Sequence, residues 1–434
     1  MWTDWQKWYS GDELDVRAIM DTWTLQEGFP LVTVEVKGRE VRLSRERFSR
    51  TDNPSLTEGK ICELPPSPYV SSLSDVLYLP EEVDWVKFNV NMSGYYMVHY
   101  GGGGWNSIIS LLHHNHTALS GNDRASLIHN VFQLVSVEKV RLDTALELSL
   151  YLSRETEIMA VWQGFGELVP LYKLMEKRDM PELENQMKSF IVDLFRGLID
   201  QQEWNDSGSV SQRVLRSYLL LFACVRNYSP CVTKATQLFN QWRDSDGTMS
   251  LPVDITMAVF MVGARTREGW DFLYEKYRTS LQMSVKSRLK WAMAVTTMTD
   301  KLQWMMEQSL NGEVMKTQDL PDVIISVARN PHGFKLAWDF LRTHWHTLIQ
   351  KFDLGSSTIS HLVAGVTNQY STREMLHEIR SFFDSLTEEA GSQMRCIQQS
   401  YETIEDNIRW MDRNLPLLQA WLNKHGSRNH HQEL

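Results

Sequence analysis

Val262-Gly-Ala264 followed by Gly269-Trp-Asp-Phe-Leu273, and Val327-Ala-Arg329 followed by Ala337-Trp-Asp-Phe-Leu341, repeat one pattern. A fainter echo joins Val363-Ala-Gly365 to Ile379-Arg-Ser-Phe-Phe383. Trp270 and Trp338 stand 68 positions apart, the length of two helical hairpins of roughly 34 residues each. One hairpin cannot bury its own apolar face, so such units stack on their neighbours into a solenoid with a concave surface for binding. The expected fold class is mainly α, a HEAT/ARM-like solenoid of helical hairpins.

Toward the N-terminus the helical spacing persists. Leu127, Ile128, Val131, Leu134 and Val135 share one stripe that Asn122 or Asp123 can cap. Leu142, Leu146, Leu148 and Leu152 continue in the same manner. The solenoid is expected over 105–424, with 425–434 as a flexible tail. Ahead of it, Leu31-Val-Thr-Val-Glu-Val36 and Val41-Arg-Leu43 flank Lys37-Gly38 and predict a hairpin with one wet face. Leu77 to Leu79, Trp85 to Val90 and Tyr95 to Tyr100 predict further strands, and 49–75, rich in Ser, Pro, Thr and Asp, reads as loop. Residues 29–100 are thus expected to form a small β domain. Residues 14–23 have helical spacing ahead of the stops at Gly28 and Pro30. Gly101 to Gly104 read as a hinge between the β domain and the solenoid.

At 434 residues the chain is too long for one ordinary core. Its net charge of -10 argues against a nucleic-acid surface. No apolar run reaches the roughly 18 residues of a membrane span, and Met1-Trp-Thr-Asp-Trp-Gln-Lys lacks the basic-then-apolar layout of a secretory signal. Four cysteines are too few for a disulfide scaffold. Cys224 and Cys231 either close a small loop or remain two free buried thiols, while Cys62 and Cys396 have no assigned partner. Sequons at Asn91, Asn115, Asn205 and Asn227 permit N-glycosylation in a secretory compartment.

Residue chemistry alone yields no catalytic site. H-E-x-x-H, G-x-S-x-G and C-x-x-C are all missing from the sequence. His113-His-Asn-His116 lacks a second ligand set at fixed spacing and reads as a solvated turn between helices. The four-glycine run has no Gly-Lys-Ser/Thr to make it a phosphate cradle. Tryptophans such as Trp270 and Trp338 sit beside Phe and Leu at helical spacing, so core packing is their expected role.

Longer strings carry a resemblance. Thr22-Trp-Thr-Leu-Gln-Glu-Gly-Phe-Pro-Leu31 resembles the junction after the catalytic domain in the oxytocinase subfamily of zinc aminopeptidases. Tyr172-Lys-Leu-Met-Glu-Lys-Arg-Asp-Met180 resembles its antigen-trimming branch in the endoplasmic reticulum. Leu79-Pro-Glu-Glu-Val-Asp-Trp-Val-Lys-Phe-Asn89, Gly94-Tyr-Tyr-Met-Val-His-Tyr100, Asn122-Asp-Arg-Ala-Ser-Leu-Ile128, Glu155-Thr-Glu-Ile158 and Lys335-Leu-Ala-Trp-Asp-Phe-Leu341 extend it over most of the chain.

The resemblance implies that 1–28 end a catalytic domain, that 29–100 are the sandwich domain, and that the solenoid is the substrate-enclosing C-terminal domain. The family's zinc is held by H-E-x-x-H plus a downstream Glu, with a G-A-M-E-N loop on the substrate amine; this chain contains neither motif. It is therefore expected to be inactive alone, with no metal of its own, and to act in the endoplasmic reticulum lumen with a catalytic domain in cis. Its substrates would be peptides with a free C-terminus, trimmed for MHC class I. Tyr172 and Lys173 match a Tyr-Lys pair that receives the peptide's C-terminal carboxylate, and Cys224 and Cys231 match a disulfide. An arginine completing that pocket is replaced by Val295, and an aromatic-rich strand due after Phe48 is not recognisable. With the abrupt Met1 start, that points to a truncated gene model, splice form or fragment. The rival reading is a non-enzymatic solenoid adaptor that binds peptides or proteins.

Overall fold

The computed structural model describes residues 28–48 and 74–429, with Asp15, Arg17, Met20, Asp21 and Thr24 ahead of them. Arg17, Met20, Asp21 and Thr24 have helical backbone, within and just past the helix expected over 14–23. Cys62 and most of the 49–75 loop lie outside the described residues. Contacts divide the chain into two compact units, 1–167 and 168–434.

The first unit is built on a four-stranded sheet: β1 (Phe29–Lys37), β2 (Glu40–Phe48), β3 (Ser74–Tyr78) and β4 (Met97–Tyr100), in the order β3-β2-β1-β4. β1 and β2 pair antiparallel from Phe29↔Phe48 to Lys37↔Glu40. Gly38 supplies the positive φ of 60° that a two-residue hairpin turn requires. β4 joins β1 in parallel. The inward alternation places Val41 and Leu43 in the core and leaves Arg42 and Ser44 exposed.

One β expectation needs correction. Trp85 to Val90 is not a strand. The Asn89 side chain donates to Gly94 O and Tyr96 O, both at 2.9 Å, and accepts from Gly94 N at 2.7 Å. These local bonds satisfy the backbone in a turn and displace the ladder. The described strands make one sheet, and helices cover it: α1 (Gly104–Asn115) packs on β1 and α2 (Gly121–Ser136) on β4.

Gly101 to Gly104 form a tight turn between β4 and α1. Gly101 N donates to Val34 O at 2.9 Å, and Gly102 and Gly103 take φ of 56° and 89°. The helix α2 starts at Ser120, earlier than expected: the Ser120 hydroxyl accepts from Asp123 N. α3 (Leu142–Ser149) completes the helices wholly within this unit, and α4 (Ile158–Met175) carries the division between the units.

The second unit is entirely helical among the described residues. After α4 come α5 (Pro181–Asp200), α6 (Val210–Val225), α7 (Ser229–Asp244), α8 (Thr256–Gly263), α9 (Arg267–Thr279), α10 (Met283–Met293) and α11 (Thr299–Asn311). Then follow α12 (Leu320–Arg329), α13 (Phe334–Thr343), α14 (Trp345–Phe352), α15 (Ser357–Thr367), α16 (Arg373–Phe383) and α17 (Arg395–Asn429). The repeated strings fall on α8–α9 and α12–α13, which are packed pairs. Both pairs close at a glycine: a Cβ on Gly269 would lie 2.1 Å from Gly263 O, and one on Gly333 2.5 Å from Val327 O. The third echo lies on α15 and α16, each packed on α17. Trp270 and Trp338 are buried, as expected of core residues. The helix α17 runs to Asn429, past the expected end of order at 424; 430–434 lie outside the described residues.

Candidate functional site

The last turn of α4 places Tyr172 and Lys173 at the entry to the second unit. Tyr172 is fully buried, whereas the Lys173 side chain keeps 23% of its surface exposed. Lys173 Nζ donates to Glu176 Oε2 at 2.7 Å. Glu176, only 3% exposed, also pairs with Lys188 of α5 at 3.2 Å, and Lys188 pairs again with Glu184. Just past α6, Arg226 lays its guanidinium 5.3 Å from the Tyr172 ring centre and 4.7 Å from that of Phe222. Its Nη2 donates to the Tyr172 hydroxyl. Lys173 and Lys188 lie 5.7 and 5.3 Å from the same ring centre. Three cations thus lie around one buried phenol, with Glu176 among them.

Burial pushes the Tyr172 hydroxyl up to about 12 against the pull of Arg226. Burial also lowers the Lys173 ammonium below its ordinary range, with Glu176 opposing and Arg226 assisting. Four residues on, Lys177 is 4% exposed. Its Nζ donates to Ala328 O at the end of α12 at 2.6 Å and lies 4.7 Å from the Phe334 ring centre. Burial and then the Lys173 charge bring Lys177 down to about 7. Arg178 donates to Ser371 O at 2.8 Å, so the turn after α4 fastens the ends of two further helices.

Val295 lies half-buried in the turn after α10. The carbonyls on either side of it, Ala294 O and Thr296 O, accept from Asn330 Nδ2 at 2.9 and 2.7 Å. Asn330 directly follows α12, whose Ala328 O takes Lys177. The link between Val295 and the Tyr172 segment that the structure shows therefore runs through the end of α12. Lys188 and Arg226 were not singled out in the sequence. Arg226 is 54 positions from Tyr172, and only the packing of α4 against the end of α6 brings them together.

Cys224 and Cys231 are disulfide-bonded across the α6–α7 turn that carries Arg226. Asn91, Asn115, Asn205 and Asn227 are all exposed. His113 and His114 belong to the last turn of α1 and bond carbonyls: His113 Nε2 lies 3.1 Å from Glu147 O and His114 Nδ1 2.8 Å from Ser110 O. Among the described residues no group of three His, Cys, Asp or Glu could hold a metal ion. No helix among them is long and apolar enough to cross a membrane.

Residues 85–406 match the ERAP1-like C-terminal domain. The chain belongs to that family. It is 52% identical to human endoplasmic reticulum aminopeptidase 1 over 421 residues, 94% of this chain and 44% of that protein. It is 40% identical to bovine endoplasmic reticulum aminopeptidase 2 over 428 residues, 95% of this chain and 45% of the relative. Rabbit aminopeptidase N is 28% identical over 431 residues, 94% of this chain and 44% of the relative. The chain spans less than half the length of these relatives. In this ERAP1-like C-terminal domain the strings around Asp123 and Glu155 hold a buried ion pair. Arg124 bonds both Glu155 oxygens, at 2.6 and 2.7 Å, with almost no exposure on either side.

Proposed function

We propose that this chain is the C-terminal, substrate-enclosing portion of a zinc aminopeptidase of the endoplasmic reticulum lumen. The parent enzyme would trim N-terminal residues from peptides for MHC class I, and the Tyr172–Lys173 pocket would hold the peptide's C-terminal carboxylate. The observation that carries this reading is a half-open cluster of cations around Tyr172, in a chain 52% identical to an endoplasmic reticulum aminopeptidase. An anion gains most from cations that are already desolvated. The disulfide and the exposed sequons suit an oxidising, glycosylating compartment. Zinc and its chemistry would come from a catalytic domain acting in cis. The HEAT-like repeat would enclose the body of the peptide.

Two results test this. An antibody against the chain should detect a native species of more than twice 50.5 kDa, the mass of these 434 residues. A species of 50.5 kDa alone would contradict the parent-enzyme reading. Lys173→Met should weaken binding of free-acid peptides more than of their C-terminal amides, and equal effects on both would count against the pocket.

A further inference from the structure

We propose that Arg226 is the specificity-determining cation of this pocket, the group that pairs with the substrate carboxylate. The inference rests on the reading above that the pocket receives a peptide C-terminus. It begins from the charges. Lys173 is held by Glu176, and Lys188 by both Glu176 and Glu184. A carboxylate approaching either lysine competes with an internal carboxylate already in place. Arg226 makes no ion pair among the described residues, and its side-chain hydrogen bond goes to a neutral phenol. Among the described residues, Lys173 and Lys188 are paired with carboxylates and Arg226 is not.

The ordinary structural role for an arginine at this place is to cap the end of α6. That role is taken by Arg265, whose Nη2 donates to Cys224 O at 2.6 Å and Val225 O at 3.3 Å. Arg226 is instead fixed as a planar fork. The Tyr172 and Phe222 rings flank it, and the Cys224–Cys231 disulfide closes the turn that bears it. A guanidinium held in this way keeps N–H donors for a carboxylate, with less entropy to lose than a free side chain. Tyr172, fully buried, then acts as a positioning residue: its hydroxyl accepts from Arg226 and aims the fork.

The experiment uses the full chain and two fluorescein-labelled peptides of one sequence, one a free acid and one a C-terminal amide, read by anisotropy. Arg226→Gln should weaken the acid about tenfold or more and change the amide less than about twofold. Arg226→Lys should keep part of the acid preference. Arg226→His, with an ordinary pKa near 6.5, should show acid preference at pH 6 that fades by pH 8. Dividing by the unmutated value at each pH removes the contributions of Lys173, Glu176, Lys177 and Lys188. Full acid preference in Arg226→Gln with an unchanged circular dichroism spectrum overturns the proposal. So does an acid preference in Arg226→His that does not respond to pH, which is read within a single protein. If the unmutated chain binds acid and amide alike, the pocket reading itself fails, and that outcome is separate from either result.

Discussion

Replacing Lys177 by Met should stabilise the chain in mild acid and cease to do so in base. Lys177 is buried, and burial, with the Lys173 charge, lowers its pKa from 10.5 to about 7. Between those values the unfolded chain holds a proton that the folded chain has released. Stability therefore rises with pH across that window, by about 1.4 kcal/mol per pH unit. Below pH 7 both states are charged and the folded state carries the whole cost, about 5 kcal/mol by that conversion. Met has similar length and no charge, but it leaves Ala328 O without its donor, which costs about 1–3 kcal/mol. The expected net gain is about 2–4 kcal/mol at pH 6, turning to a loss of about 1 kcal/mol at pH 10. Urea unfolding followed by tryptophan fluorescence at pH 6, 8 and 10 measures it, since Trp270, Trp338 and Trp345 are buried in the same unit. Other titrating groups cancel in the difference between the two proteins. A difference constant across pH, or a loss at pH 6, refutes the reasoning.

Glu155→Gln leaves the buried Arg124 guanidinium without its counter-charge and should cost about 3–5 kcal/mol, read by the same denaturation. Burial would raise the Glu155 carboxyl, but Arg124 and the Glu157 and Thr156 amides hold it below its ordinary value. That contribution is present above the unfolded carboxylate range and is lost as pH falls through the folded value, so the variant should show a shallower acid transition. Cys231→Ser should cost about 2 kcal/mol, from the short loop it opens. It should also reduce acid preference through Arg226, and an unchanged preference would show that the disulfide does not hold the fork. Chain made in a secretory host should lose mass on treatment with peptide-N-glycosidase, less so after Asn→Gln at 91, 115, 205 or 227. No loss would mean the exposed sequons are not used.

The helical architecture was legible because apolar spacing and the recurring Trp-Asp-Phe-Leu string report burial directly, and Trp270 and Trp338 are both core residues. The β1–β2 hairpin was legible from alternation around Gly38. What failed were places where a side chain acts on distant or irregular backbone. The Asn89 bonds to Gly94 and Tyr96 turn a β-like string into a turn. Of the candidate site, Tyr172 and Lys173 could be named through resemblance, and the Glu176 partner lay inside the same string. Arg226 and Lys188 reach Tyr172 from other helices, and a local pattern does not encode contacts made by packing.

The most direct measurement is titration of the unmutated 434-residue chain with one peptide as its free acid and as its C-terminal amide, by isothermal calorimetry at pH 7. A cationic pocket that reads the terminal carboxylate predicts about tenfold or more tighter binding of the acid. Equal affinity for the two, or no binding of either, would contradict the account.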